Sequence, residues 1–279
     1  MKKTSIFSRC WLPGSLILCA ATVLPLQAVS IVFQDGAAIP ELGIGNYNGT
    51  ENTTLISGVP NGNYGSGNSL WVGSNSGERK ILLRFDVSAL AGQSASIESV
   101  TLSMFQIAQS GSNNGTEIDV NLYQIQNANS GWVEGTGTGN SQTGSASWNH
   151  AVNQTVDWAG SEGLSTPGTD YVASAVDGTK VVTARTGNGW SGTEFTWNLP
   201  VSLLQSWISG TNAGLVFAAA DFGDLVANDY FRFGSSNHTT AEWRPMLTVN
   251  YTPIPEPGMV VLLGLGILAA CPGRRTRNV

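Results

Sequence analysis

The sequence predicts an all-β protein: a single antiparallel β-sandwich, jelly-roll-like, with one short helix. Three observations carry that expectation. Residues 97–105 (IESVTLSMF) and 118–125 (IDVNLYQI) alternate apolar and polar side chains at period two, as strands do when one face lies in a core and the other in water. Glycine, serine, asparagine and threonine crowd the stretches between such segments, supplying turn chemistry. Long Ala/Leu/Glu/Lys patterns at helical spacing are missing.

Taken in order, residues 30–35 (SIVFQD) open the body as a strand, a turn-rich stretch follows at 43–49, and Thr54-Leu55-Ile56 is a short strand. A glycine-rich loop at 61–68 leads into the alternating strand 69–73 (SLWVG). Residues 79–86 (RKILLRFD) are the most strand-like core segment, nearly continuous in apolar residues between charged ends. Trp132, Trp148 and Trp158 then stand in glycine-rich sequence that fits no strand pattern, so a long ordered loop pinned by its aromatics is expected there. Residues 193–199 (TEFTWNL) return to strand. Residues 200–208 (PVSLLQSWI) form the one helical pattern, with proline at the start, Leu203, Leu204, Trp207 and Ile208 at helical spacing, and Gly210 after it. Strands at 215–220, 230–234 and 246–251 close the domain. There is no repeat and no internal linker.

The two ends differ from this body. Lys2, Lys3 and Arg9 precede a mostly apolar run from Trp11 to Leu26, and Leu26-Gln27-Ala28 offers a small residue at a cleavage point. That is the build of a secretory signal peptide spanning residues 1–28. Leu18 before Cys19 is not the small residue that a lipoprotein signal needs. At the other end, Pro255-Glu256-Pro257 precede an uncharged run, residues 259–270 (MVVLLGLGILAA), and then Arg274, Arg275 and Arg277. At ~1.5 Å per residue the run is too short to cross a ~30 Å hydrocarbon core comfortably. Rigid acidic motif, apolar run and arginine cluster stand in the order of the PEP-CTERM sorting tail of Gram-negative bacteria, which residues 255–279 resemble. The resemblance implies transient membrane insertion, processing by an exosortase-type enzyme and delivery to the cell surface or extracellular matrix. An ordinary C-terminal membrane anchor is the alternative.

Removing both ends leaves residues 29–254 as one domain, and its composition narrows the function. All three cysteines lie outside it, so neither disulfides nor thiolate chemistry are expected. Its seven lysines and arginines face eighteen carboxylates, a net charge of −11. Such a surface repels nucleic acid and anionic membranes and attracts divalent cations.

Several blocks stand in a characteristic order: Asn63-Tyr64-Gly65, residues 82–88 (LLRFDVS), Ile97-x-Ser99-Val100-Thr101-Leu102, Trp132-x-Glu134, Ser147-Trp148-Asn149-x-Ala151, Trp158-x-Gly160, and Phe231-x-Phe233 through Arg244-Pro245 to Tyr251. This order resembles the DNRLRE-type domain, related to the disaggregatase repeat and to carbohydrate-binding modules that include alginate binders. The resemblance implies a β-sandwich that binds polysaccharide. Two departures stand out: a longer insert between Asn153 and Asp170, and Gly234-Ser235-Ser236-Asn237 where the family often carries Ser-Arg-Glu.

The residues themselves offer little catalysis. His150 and His238 stand apart, without metal-ligand spacing. Glu134 with Glu162 or Asp157 could form a glycosidase pair only if the fold brought the carboxylates to ~5–10 Å across a cleft. Trp132-x-Glu134 reads more simply as a structural loop, its carboxylate accepting backbone N–H groups. Asp221, Asp224 and Asp229 are a candidate calcium set, lacking EF-hand spacing, with a solvated acidic loop as the alternative. No cofactor is otherwise expected. Sugar binding instead asks for indole faces and hydroxyl partners. Trp71, Trp148, Trp158 and Trp190, beside polar glycine-rich segments, are the candidate platforms, whereas Trp197, Trp207 and Trp243 sit in apolar contexts. Arg79, Lys80 and Arg84 suit an anionic glycan such as a uronate, but Arg84 alternates with core residues and is expected to pair with an acidic neighbour, and the net charge of −11 argues against strong attraction to polyanions unless calcium bridges them. The expectation is an exported, non-catalytic protein that associates with extracellular polysaccharide. The alternatives are a structural surface protein without glycan affinity, and a lyase or hydrolase using Glu134.

Overall fold

The computed structural model describes residues 27–254 except 94, 110–116, 184–192, 221, 222, 224 and 226–228. Ala28 to Pro253 form one compact unit. The strands in chain order are β1 (Val29–Phe33), β2 (Thr50–Ile56), β3 (Ser69–Ser74), β4 (Glu78–Phe85), β5 (Ala95–Gln109) and β6 (Glu117–Gln124). A small hairpin of β7 (His150–Val152) and β8 (Val156–Asp157) follows, then β9 (Lys180–Thr183) and β10 (Thr193–Leu199). Helix α1 (Val201–Ile208) precedes β11 (Leu215–Ala219), β12 (Tyr230–Gly234) and β13 (Met246–Pro253).

Every pairing among these strands is antiparallel. The hydrogen-bonded path runs β1-β13-β5-β12-β3-β4-β11-β6-β9, with β10 added to β5 and β2 to β4. Side chains from β1, β5, β10 and β13 share one core with those from β3, β4, β6 and β11. The architecture is thus mostly antiparallel sheet with one helix, consistent with a β-sandwich. Period-two alternation sets which side chains enter the core: Ile118, Val120 and Leu122 of β6 are buried, while Glu117 and Asp119 are exposed. Helix α1 starts directly after Pro200 and buries Leu203, Leu204 and Trp207 against the same core.

The near-continuous apolar run of β4 has a specific cause. Ile81 and Leu83 point into the core between the sheets, whereas Leu82 joins a second core with Leu55 of β2 and Val216 of β11. That outer sheet face is covered by the long loop between β6 and β9, which contributes Ile125, Trp132, Trp158 and Leu164. A sheet covered on both faces needs apolar residues at every position.

The expected aromatic pins are there, but buried polar side chains hold the loop at least as firmly. Asn63, fully buried, donates to the carbonyls of Glu134 at 2.6 Å and Ala146 at 2.9 Å. Asp170, also fully buried, accepts from the backbone N–H groups of Gly160 (2.8 Å), Ser161 (3.0 Å) and Thr166 (2.8 Å), and from Asn129 Nδ2 (3.1 Å). In a loop that lacks ladder partners, such bonds satisfy backbone groups that would otherwise be buried unpaired. The strand β9 and the β7–β8 hairpin were not expected from the sequence; each is only two to four residues long, too short for periodicity to register.

Candidate functional site

Three adjacent strands build the most chemically distinctive surface. On β3, Trp71 lies directly opposite Arg232 of β12, and Gly73 lies opposite Tyr230 of β12 and Arg79 of β4. Alternation therefore puts Trp71, Arg79, Tyr230 and Arg232 on one sheet face. Gly73 makes this possible: its φ of +116° suits glycine alone, and a Cβ there would lie 2.3 Å from the Asp229 carbonyl.

The side chains stack. The Trp71 ring centroid is 5.9 Å from that of Tyr230 and 6.1 Å from that of Tyr64. Arg79 Cζ stands 4.2 Å from the Trp71 centroid and Arg232 Cζ 4.7 Å, so guanidinium groups from both flanking strands engage one indole. Each such contact contributes ~0.5–1 kcal/mol where exposed and more where desolvated. Trp71 Nε1 donates to Ser69 Oγ at 2.8 Å, which fixes the ring. Arg79 is 7 % exposed and donates through Nε and Nη2 to the Asn75 carbonyl at 3.2 and 3.0 Å.

Among the described residues neither Arg79 nor Arg232 has a carboxylate partner, and buried Arg79 Nη1 and Arg232 Nε have no hydrogen-bond acceptor. Burial holds the Arg79 pKa below the ordinary arginine value, and repulsion from Arg232 lowers it further. Two neighbouring cations in a chain that is otherwise strongly acidic, with donors to spare, form a place for an anion. A guanidinium matches the planar carboxylate fork.

The other candidates fall elsewhere. Trp148 is half-buried: Lys80 Nζ stands 5.3 Å from its ring, and Gly163, at φ +69°, lies so close that a Cβ would come within 2.4 Å of the indole. Lys80 itself is buried and donates to the Gly163 carbonyl (2.9 Å) and Ser165 Oγ (3.1 Å), with Glu78 at 3.3 Å. Its pKa is held down by burial, and its role is to tie the loop to β4. Trp158 is 5 % exposed and donates to the carbonyls of Ser147 and Trp148; only an edge reaches a nearby groove. Trp190, Asp221 and Asp224 lie outside the described residues, as do Pro255, Glu256, Pro257, Arg274, Arg275 and Arg277. Asp229 is buried, and its backbone carbonyl accepts from Ser74 N at 2.7 Å. No group of three metal-binding side chains converges among the described residues. No described helix is long and apolar enough to cross a membrane.

Arg84 pairs as expected: Nε reaches Glu51 Oε2 at 2.6 Å and the guanidinium stacks on Trp132 at 4.6 Å. Glu134 Oε1 accepts from Asn52 N (2.9 Å) and Asn52 Nδ2 (3.2 Å), the structural role read from Trp132-x-Glu134. Burial raises the Glu134 pKa from 4.5 to about 7. Asp157 and Glu162 line a groove to which Glu134 does not contribute. Gly234 to Asn237, the departure from the family pattern, knots β12 to the 63–67 loop through Ser235 Oγ to Gly67 O (2.7 Å) and Asn237 Nδ2 to Gly65 O (3.0 Å).

Tyr64 stands in the Asn63-Tyr64-Gly65 block, but the sequence does not mark it, Tyr230 or Arg232 as a binding candidate. The available signal was Arg232 itself, a lone charge inside the apolar strand Tyr230-Phe231-Arg232-Phe233. Residues 45–183 match the model of carbohydrate-binding module family 96, which supports a carbohydrate-binding module and takes in Tyr64, Trp71 and Arg79 but not Tyr230 or Arg232. No curated protein matches the chain.

Proposed function

We propose that the chain is a non-catalytic polysaccharide-binding protein whose Trp71 face takes an acidic sugar unit, its carboxylate held by Arg79 and Arg232. The observation that carries this reading is the pair of guanidinium groups on one indole, without a carboxylate among the described residues. The family-model match supports the carbohydrate class. An anion there would relieve the repulsion between the two arginines and accept from their unpartnered donors. The rest of the proposal rests on the sequence: a signal peptide over residues 1–28, a jelly-roll-like body of DNRLRE type over 29–254, and a PEP-CTERM tail over 255–279. That tail would pass through the membrane transiently to an exosortase-type enzyme. The protein would then reside at the cell surface or in the matrix of a Gram-negative-type bacterium.

Affinity electrophoresis through gels containing polyuronate or neutral glucan, with and without calcium, tests the binding. Retardation by polyuronate that falls at least tenfold in Arg232→Gln, and weakens in high salt, is the expected result. Equal retardation of the wild type and Arg232→Gln would remove the Trp71 face from the reading. No retardation on any polymer by the folded protein would favour a structural surface protein.

A further inference from the structure

A groove of about 280 Å³ lies on the loop side of the molecule, lined by Asn149, His150, Asp157, Trp158, Ser161 and Glu162. Its walls are fixed. Gly160 N and Ser161 N are held by the buried Asp170 carboxylate, and Trp158 Nε1 is held by the carbonyls of Ser147 (3.1 Å) and Trp148 (2.9 Å). A rigid concavity binds with little ordering cost.

Four of the side chains that face it, Asn149, His150, Asp157 and Glu162, take no part in the loop's scaffold, which runs through Asn63, Asn129, Asn153, Trp158 and Asp170. The Asn149 amide makes only a long contact, 3.3 Å, to Asn61. His150 Nε2 stands 3.4 Å from Asp157, while its Nδ1 is buried without a partner among the described residues. The Asp157 side chain is 85 % exposed, and Glu162 is exposed with no ion pair among the described residues. Amide, imidazole, two carboxylates and an indole edge around one concavity are the partners that adjacent sugar hydroxyls require: acceptors for paired O–H groups and a donor for a ring or hydroxyl oxygen.

The charge here is opposite to that of the Trp71 face. Among the described residues no lysine or arginine lines the groove, and its two carboxylates repel an acidic sugar. We propose that the groove is a second sugar site that takes a neutral hexose unit, so that one domain holds an acidic and a neutral polysaccharide through separate faces. This proposal builds on the carbohydrate-binding reading but does not need the Trp71 face to be right.

Isothermal titration of the intact chain with hexaoses of β-1,4-glucan, β-1,4-mannan, α-1,4-glucan and a polyuronate tests it. At least one neutral hexaose is expected to bind, and Asp157→Ala/Glu162→Ala to weaken it at least tenfold while leaving uronate binding within twofold. Arg232→Gln is expected to do the reverse. Circular dichroism and melting temperature confirm that each variant is folded. The proposal is overturned if no neutral hexaose binds, or if Asp157→Ala/Glu162→Ala binds the neutral sugar as the wild type does. Loss of uronate binding alone across the wild type and all variants would sink the Trp71 assignment and leave the groove standing.

Discussion

Between the sheets, Trp197 meets Phe217 edge to face at 5.2 Å, and Phe195 meets Phe233 at 6.0 Å, in a core supplied almost wholly by alternating strand residues. Under the long loop, Trp132 and Trp158 are just as buried, yet each spends its indole N–H on a loop carbonyl: Ala213 at 2.8 Å for Trp132, Ser147 and Trp148 for Trp158. The first core is positioned by ladder hydrogen bonds and needs only shape from its side chains. The second has no ladder to rest on, so side-chain polar atoms do the positioning and apolar atoms fill what remains. The two regions should therefore fail differently when damaged.

The largest effect is expected between the sheets. Trp197→Ala removes a fully buried indole and should cost about 3–5 kcal/mol, seen in urea denaturation as a single, earlier transition. Asp170→Ala should cost roughly 3 kcal/mol by orphaning three part-buried backbone N–H groups and the buried Asn129 amide, but locally. Hydrogen exchange should accelerate across residues 126–178 while β5 and β13 stay protected. Equal acceleration in both places would show that the cores open as one.

The third test uses pH. The folded pKa of Glu134, about 7, stands above the ordinary 4.5 because burial disfavours its charged form. The fold thus binds this proton more tightly than the unfolded chain does. The resulting stabilisation is complete below pH 4.5 and is lost as pH rises through 7. About 2 kcal/mol is expected, allowing for the part of the side chain that water reaches. Glu134→Gln should flatten that part of the stability–pH curve; an unchanged slope would place the titration elsewhere.

Legibility in the sequence follows the same division. Period two announced β5 and β6, and the proline-to-glycine frame announced α1, because local pattern and tertiary burial agree there. The run Ile81-Leu82-Leu83 was read as core, but that it faces two cores was not, since nothing local says what covers the second face. Asn63, Asn129, Asn153 and Asp170 carry no signal of burial in the sequence, because asparagine and aspartate amid glycines look like surface turns. Only the fold shows them at 0–1 % exposure. The Trp71 face needed the β3–β12 register, which joins residues 161 positions apart (71 and 232).

The burial of Lys80 reaches beyond stability. Residues 29–254 contain two lysines, and one of them lies sealed beneath Trp148 with its ammonium bonded to the loop. Amine-reactive dyes, cross-linkers and coupled sensor surfaces therefore find one usable side chain in the body, Lys180 on the short strand β9. Attachment through it is near-uniform in orientation, and that orientation is fixed before any tag is added.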